Sequence, residues 1–323
     1  MENKIFTVGV PDVPRAQALI DGTVRVDGFE VQVVHNFSTV GDRHGSMLRG
    51  GLDAAEMSTT SFIQSRVLGI GEPQLALPVF FKRGLRLRNI IVKRDSGLQH
   101  PSELKGKRIA VSRFSATTIV LVCGMLEEDY GVPMESVRWI TAEEEHVKVN
   151  NPRVKVEHLG VKRLKLLEML ISGEIDAAVF PGYDDYHSIY GGGENETPID
   201  DYPELRSLVD TPAAVLDYFR QTGIYPIVHT VTVKESVVRE YPEFAPRLLA
   251  AFRQAKELAV NYEDEEERRH TEIERRDLGW DPYTYRMGDI EVRTMEALLR
   301  YLYDQRLIDR PADMAELFVR NCR

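Results

Sequence analysis

The chain has 323 residues, enough for about two domains that each bury a core. With 41 Lys and Arg against 51 Asp and Glu, its net charge of −10 argues against a nucleic-acid partner, whose binding relies on clustered Lys and Arg. No apolar run reaches the roughly 20 residues needed to cross a bilayer. Residues Met1-Glu2-Asn3-Lys4 lead straight into a core-like strand, without the basic, apolar and small-residue regions of an export signal. That start and the two cysteines, Cys123 and Cys322, give the expectation of a cytoplasmic protein with reduced thiols.

Strand-like runs alternate with helical ones, the pattern of an α/β sheet protein. Strands are predicted at residues 5–10, 31–35, 54–57, 75–80 and 89–92, and residues 93–97 read as a crossing into a second lobe. A tight basic turn at Lys105-Gly106-Lys107 opens that lobe and feeds a strand at 108–111. A helix follows from Ser115 to Tyr130, with Cys123 on its buried face. Strands at 137–140 and 154–158, a helix at 162–171 and a strand at 175–180 complete the unit. Gly191-Gly192-Gly193 reads as a plain loop, since no strand feeds it and no Lys-Ser/Thr follows it. Residues 223–233 form a strand that crosses back to the first lobe. A long helix is predicted from Pro246 to about Arg276, its charged second half solvated. A last helix at 291–305 places Met295, Leu298, Leu299 and Leu302 at helical spacing, to pack on lobe I. The expected domains are 1–94 plus 231–323 as lobe I and 95–230 as lobe II, joined by a two-crossing hinge that permits closure.

One pattern occurs twice. Met47-Leu48-Arg49-Gly50-Gly51-Leu52-Asp53-Ala54-Ala55 is matched by Met169-Leu170-Ile171-Ser172-Gly173-Glu174-Ile175-Asp176-Ala177-Ala178. In each copy a helix end meets Gly and a small-residue strand follows, so the two lobes share a plan. Ligands of such proteins sit between the lobes, where strand ends and helix starts converge. Loops at Ser58-Thr59 and at Ser115-Thr117 set hydroxyls and backbone N–H groups at helix starts, suited to anions as well as to plain capping. Arg15, Arg83 and Arg113, together with Arg86 and Arg88, fall near strand-to-loop junctions, and their planar guanidinium groups suit carboxylates.

His229 stands in an apolar run in the returning strand beside Tyr225-Pro226, where proton transfer or a buried structural role are both open. His35, His44, His100, His146, His158 and His270 show no recurring spacing and fall in strand edges, loops or charged surface. Asp184 and His187 are three residues apart, too few ligands for a metal site. No metal, nucleotide or other cofactor signature is present.

Several segments carry a resemblance. They are Leu52-Asp53-Ala54-Ala55-Glu56-Met57-Ser58, Ala76-Leu77-Pro78-Val79-Phe80, the strand around Lys105-Gly106-Lys107, Glu128-Asp129-Tyr130-Gly131-Val132, Gly173-Glu174-Ile175-Asp176-Ala177 and Thr222-Gly223-Ile224-Tyr225-Pro226-Ile227-Val228-His229. Over most of its length the chain resembles the 4,5-dihydroxyphthalate decarboxylase-like branch of the type 2 periplasmic-binding-protein superfamily. The resemblance implies an α/β fold of two lobes with mixed sheets and two hinge crossings. It also implies cofactor-independent decarboxylation of a hydroxylated aromatic carboxylate, in aromatic-acid catabolism. On that reading His229 is the general acid. Arg15, Arg83 and Arg113, with Ser58, Thr59, Ser115 and Thr117, hold carboxylate and phenolate oxygens, and Phe180 and Tyr225 stack on the ring. The partner is then a small anionic aromatic molecule; a homo-oligomer is compatible with the sequence.

The chain departs from the family pattern at the site. Val13-Pro14-Arg15-Ala16 stands where the pattern has Tyr-Asp-Arg-Thr, Leu87-Arg88 where it has His-Ser, and Arg113-Phe114 where it has Glu-Tyr. An exported-type binding protein without catalysis, and another carboxylate enzyme on this fold such as a chorismate dehydratase, are the alternatives.

Overall fold

The computed structural model describes residues 4–84, 87–148, 153–162, 164–180, 202–209 and 212–322. The elements of the first half are β1 (Ile5–Gly9), α1 (Pro14–Ile20), β2 (Glu30–Val34), α2 (Val40–Leu48), β3 (Ala54–Ser58), α3 (Thr59–Leu68) and β4 (Gln74–Arg83). Next come β5 (Ile90–Lys93), β6 (Arg108–Val111), α4 (Thr117–Tyr130), β7 (Arg138–Thr141), β8 (Val156–His158), α5 (Leu164–Ser172), β9 (Ala177–Val179), β10 (Leu205–Ser207) and α6 (Pro212–Thr222). The chain ends with β11 (Ile227–Lys234), α7 (Glu235–Glu240), α8 (Phe244–Glu257), α9 (Glu265–Leu278), α10 (Asp289–Asp304) and α11 (Met314–Leu317). Among the described residues no helix is long and apolar enough to cross a membrane.

Two mixed sheets result, with strand orders β2-β1-β3-β11-β4 and β10-β5-β9-β6-β7-β8. The repeated motif has one job in both. Asp53 accepts from the backbone N–H of Thr7 at 2.9 Å, and Asp176 accepts from that of Arg108 at 2.8 Å. Each carboxylate thus ties the start of its own strand to its parallel neighbour. Small alanines follow because both strands are covered on both faces.

The lobe boundary differs from the sequence expectation. β5 pairs with β9 and β10 in the second sheet, so the chain already belongs to that sheet at Ile90. The return occurs by Ile227, where β11 inserts antiparallel between β3 and β4. β10 went unforeseen because three residues carry no readable period.

The predicted long helix is two. α8 stops at Glu257, and α9 restarts behind Asp264, whose side chain accepts from the Glu267 N–H at 2.8 Å while Glu267 accepts from the Asp264 N–H at 2.9 Å. The run Glu265-Glu266-Glu267 therefore sits in a first turn, where negative charge complements the helix dipole. α10 buries Met295, Leu298, Leu299 and Leu302 as expected, yet it also clamps lobe II. Tyr301 covers Gly124 of α4 so closely that a Cβ there would meet ring atoms at 2.5 Å. Gln305 donates to the carbonyl of Val120 at 2.9 Å, and the Tyr301 hydroxyl donates to Glu128 at 2.7 Å. One apolar core consequently runs behind the cleft through both lobes, from Phe62 and Ile63 of α3 to Val120 and Cys123 of α4.

Candidate active site

Register places the first part of the site. His229 of β11 lies opposite Ser58 of β3, which makes Glu56 its diagonal neighbour on the same face. The ladder from β11 to β4 is irregular on both sides of His229, a bulge of the kind that re-aims a side chain next to a site. α2, capped by Thr39, brings Arg43 and His44 against the same carboxylate.

Glu56 is the hub. Its Oε2 accepts from the Arg43 guanidinium, and its Oε1 lies 2.6 Å from Nδ1 of His229. Nε2 of His44 stands 3.8 Å from Oε2 and has no hydrogen-bond partner among the described residues. Exposure of these side chains is 2% for Glu56, 5% for Arg43, 3% for His44 and 13% for His229. Burial alone would raise the Glu56 pKa, but Arg43 and then His229 outweigh it and hold the carboxyl well below its usual range. Burial drives His44 down to about 3 despite Glu56. His229 is lowered by burial, opposed by Glu56 and helped by Lys82 and Arg43. Since Glu56 holds Nδ1, Nε2 is the nitrogen of His229 left for a ligand.

His44, Glu56 and His229 offer atoms within 4.8 Å of one another, the spacing of a metal site. Arg43 argues against that use. A cation on Glu56 would sit beside a guanidinium already on Oε2, a repulsion of about 4 kcal/mol at 4 Å and an effective dielectric of 20. The arrangement fits a charge-compensated proton-transfer group better.

Lobe II supplies the opposite wall. The hydroxyls of Ser58 and Thr117 meet at 3.1 Å, and Thr60 donates to the Ser115 carbonyl at 2.7 Å, so the starts of α3 and α4 face each other across the lobes. Glu145 accepts from the N–H groups of Phe114 at 2.7 Å and Ser115 at 3.0 Å, and from the Ser115 hydroxyl. Arg113 pairs with Glu143 at 2.5 Å and donates to the Glu144 carbonyl at 2.8 Å. These bonds fix the loop that carries His146. Its ring centroid is 6.1 Å from that of His44, which in turn is 5.0 Å from that of His229. Burial and then Arg113 lower His146 to about 4.

The sequence candidates divide. His229, Ser58, Thr59, Arg113, Ser115 and Thr117 lie where the two lobes meet, with Thr59 donating to the Val228 carbonyl at 3.0 Å and Ser58 3.1 Å from Thr117. Arg83 instead is fully buried, donating to Glu291 at 2.5 Å and to the carbonyls of Pro282 and Tyr225. Tyr225 is buried too, its hydroxyl on Glu274 and its ring against Trp280 at 5.7 Å. Both take part in a buried network of side chains. Arg15 lies over the Tyr283 ring at 3.8 Å and donates to the Phe81 carbonyl. Phe180 packs in the small core of lobe II, its backbone paired with Asn89. Arg86, Asp184, His187 and the triple glycine lie outside the described residues. Arg43, His44, Glu56, Lys82 and His146 were missed. A charged residue inside the small apolar run Ala54-Ala55-Glu56-Met57 was the available signal, since a buried acid demands a partner.

No protein-family model matches the chain. Two curated relatives do. A 4,5-dihydroxyphthalate decarboxylase of Comamonas testosteroni is 27% identical over 264 residues, 79% of this chain and 76% of the relative. A protein of the same name from Pseudomonas putida is 30% identical over 190 residues, 55% of this chain and 71% of the relative. Solved structures with this fold include the periplasmic aliphatic sulphonate-binding protein SsuA from Escherichia coli, with a TM-score of 0.58, 13% identity, and coverage of 99% of this chain and 98% of that one. A periplasmic sulfonate-binding protein of Methylobacillus flagellatus KT gives a TM-score of 0.60 at 14% identity over 98% and 92%. Fold, site and relatives together make the chain a member of the 4,5-dihydroxyphthalate decarboxylase family, built on the two-lobed periplasmic-binding-protein fold.

Proposed function

We propose that the protein is a cofactor-independent decarboxylase of a hydroxylated, phthalate-like aromatic carboxylate held between the lobes. The observation that carries this reading is the buried Arg43–Glu56–His229 chain at the cleft, with Nδ1 of His229 taken by Glu56. Losing CO2 from an arene requires a proton on the carbon that bears the carboxylate. A phenolic oxygen para to that carbon spreads the positive charge. Nε2–H of protonated His229 gives the proton, the C–C bond breaks, its electron pair restores aromaticity, and CO2 leaves with His229 neutral. Glu56 stabilises the imidazolium and fixes its tautomer. A bound dicarboxylate adds negative charge that raises the proton affinity of His229 when it is needed. Arg113, Lys82 and the hydroxyls of Ser58, Thr59, Ser115 and Thr117 are the groups we assign to ligand oxygens, inside a closed cleft that excludes water.

The test is incubation of the purified protein, without added cofactor, with 4,5-dihydroxyphthalate and related hydroxylated aromatic acids, followed by chromatography. Protein-dependent 3,4-dihydroxybenzoate supports the reading. Survival of every acid, with tight binding of any of them, sinks it in favour of a binding protein.

A further inference from the structure

Decarboxylation consumes one proton per turnover, and in a closed cleft that proton needs a route. His229 has little: Nδ1 is committed to Glu56 and the side chain is 13% exposed. Its ring meets that of His44 edge to face at 5.0 Å, and His44 meets His146 in the same manner at 6.1 Å. His44 is buried, and among the described residues its Nε2 has no hydrogen-bond partner, in a protein interior where such atoms are costly. His146 is half-buried on a loop of the other lobe, with its Nε2 facing Gly41 of α2.

We propose that His146 and His44 resupply His229 with its proton, as a line of three imidazoles drawn from both lobes. The proposal rests on the decarboxylase reading above. Protons pass from water to His146, through His44, to the neutral imidazole left after CO2 departs; no other reactant is involved. His146 and His44 act through His229 and touch no reacting atom. The charged groups around the line are Arg43, Glu56 and Lys82 on lobe I, and Arg113 with Glu143, Glu144 and Glu145 on lobe II. Burial of His44 and His146 keeps both imidazoles neutral at rest, so each accepts a proton only transiently.

The test compares wild type with His146→Gln and His146→Ala in steady-state turnover of 4,5-dihydroxyphthalate, with and without added imidazole. The expected result is a kcat about tenfold lower with KM unchanged, and recovery as imidazole, a mobile proton carrier, is raised. Wild-type kcat in both variants overturns the relay while leaving the decarboxylase reading intact. A loss shared by kcat and KM that imidazole does not restore assigns His146 a structural role and also overturns it. Absence of wild-type turnover with every acid of the panel removes the decarboxylase reading and the relay together.

Discussion

Replacing Glu56 by Gln separates what the carboxylate does for the fold from what it does for His229. The amide keeps the shape and one acceptor oxygen but removes the charge. Arg43 then stays buried with its charge uncompensated, since both side chains are at most 5% exposed. Breaking a buried pair from one side costs about 3–5 kcal/mol. Unfolding 323 residues carries about 0.7 kcal/mol/K of entropy, so Tm should fall by about 4–7 °C. The catalytic effect should be far larger. The neutral amide can still accept from Nδ1 of His229, but it removes the charge that stabilises the protonated imidazole. General acid catalysis contributes about 10²–10⁴ in rate, and most of that should disappear from kcat with little change in KM. Differential scanning calorimetry and steady-state kinetics on one sample of folded variant measure both. A variant that loses stability as calculated but keeps near-native kcat would refute the assignment of His229 as an acid supported by Glu56. A variant of unchanged Tm would refute the buried ion pair itself.

The other predictions use the same assays. His44 titrates near 6.5 unfolded but near 3 when folded, so below pH 6.5 the unfolded chain holds a proton the folded chain lacks. That stability is fully present above pH 6.5 and is lost as pH falls toward 3, at about 1.4 kcal/mol per pH unit, or about 2 °C in Tm. His44→Gln should make the Tm decline between pH 6 and pH 4 shallower by that amount; an unchanged slope contradicts the burial argument. Arg83→Met, which strands Glu291, should lower Tm by several degrees while KM for the acid stays within about twofold, because Arg83 belongs to the network of Tyr225 and Trp280. A KM rise of about tenfold or more in folded protein would return Arg83 to the ligand site. Exhaustive treatment with a chelator should leave turnover unchanged, and loss of activity restored by one divalent metal would show that His44, Glu56 and His229 hold an ion despite Arg43.

What the sequence disclosed follows from how local each signal is. The doubled Gly-x-Ile/Leu-Asp-Ala-Ala pattern was legible because Asp53 and Asp176 each act within one strand pair, and that local bond fixes the layout of both sheets. The break between α8 and α9 was equally local, a capping box at Asp264, but was hidden under a charge run that also suits a solvated helix. The site was not local. Glu56 and His229 are 173 positions apart, and only the β3–β11 register makes them neighbours. His146 required the lobes to be placed against each other.

The arginines illustrate a different limit. Arg83 was chosen by residue type, but direction on a strand is set by phase, and adjacent residues face opposite sides. Lys82 pairs in register with His229 on the cleft side, and its neighbour Arg83 goes into the interior against Glu291. Once His229 is taken as facing the cleft, alternation alone assigns Ser58 and Glu56 to that face and Met57 to the other. Phase also bears on chemistry. A cleft that merely retains anions gains from cations and hydroxyls, and a buried carboxylate there weakens its hold on them. Glu56 is placed where it opposes anion binding, and it is kept charged by Arg43 at the cost of burying both. Its one return is the proton affinity and orientation of His229, and those matter to a cleft that transfers a proton.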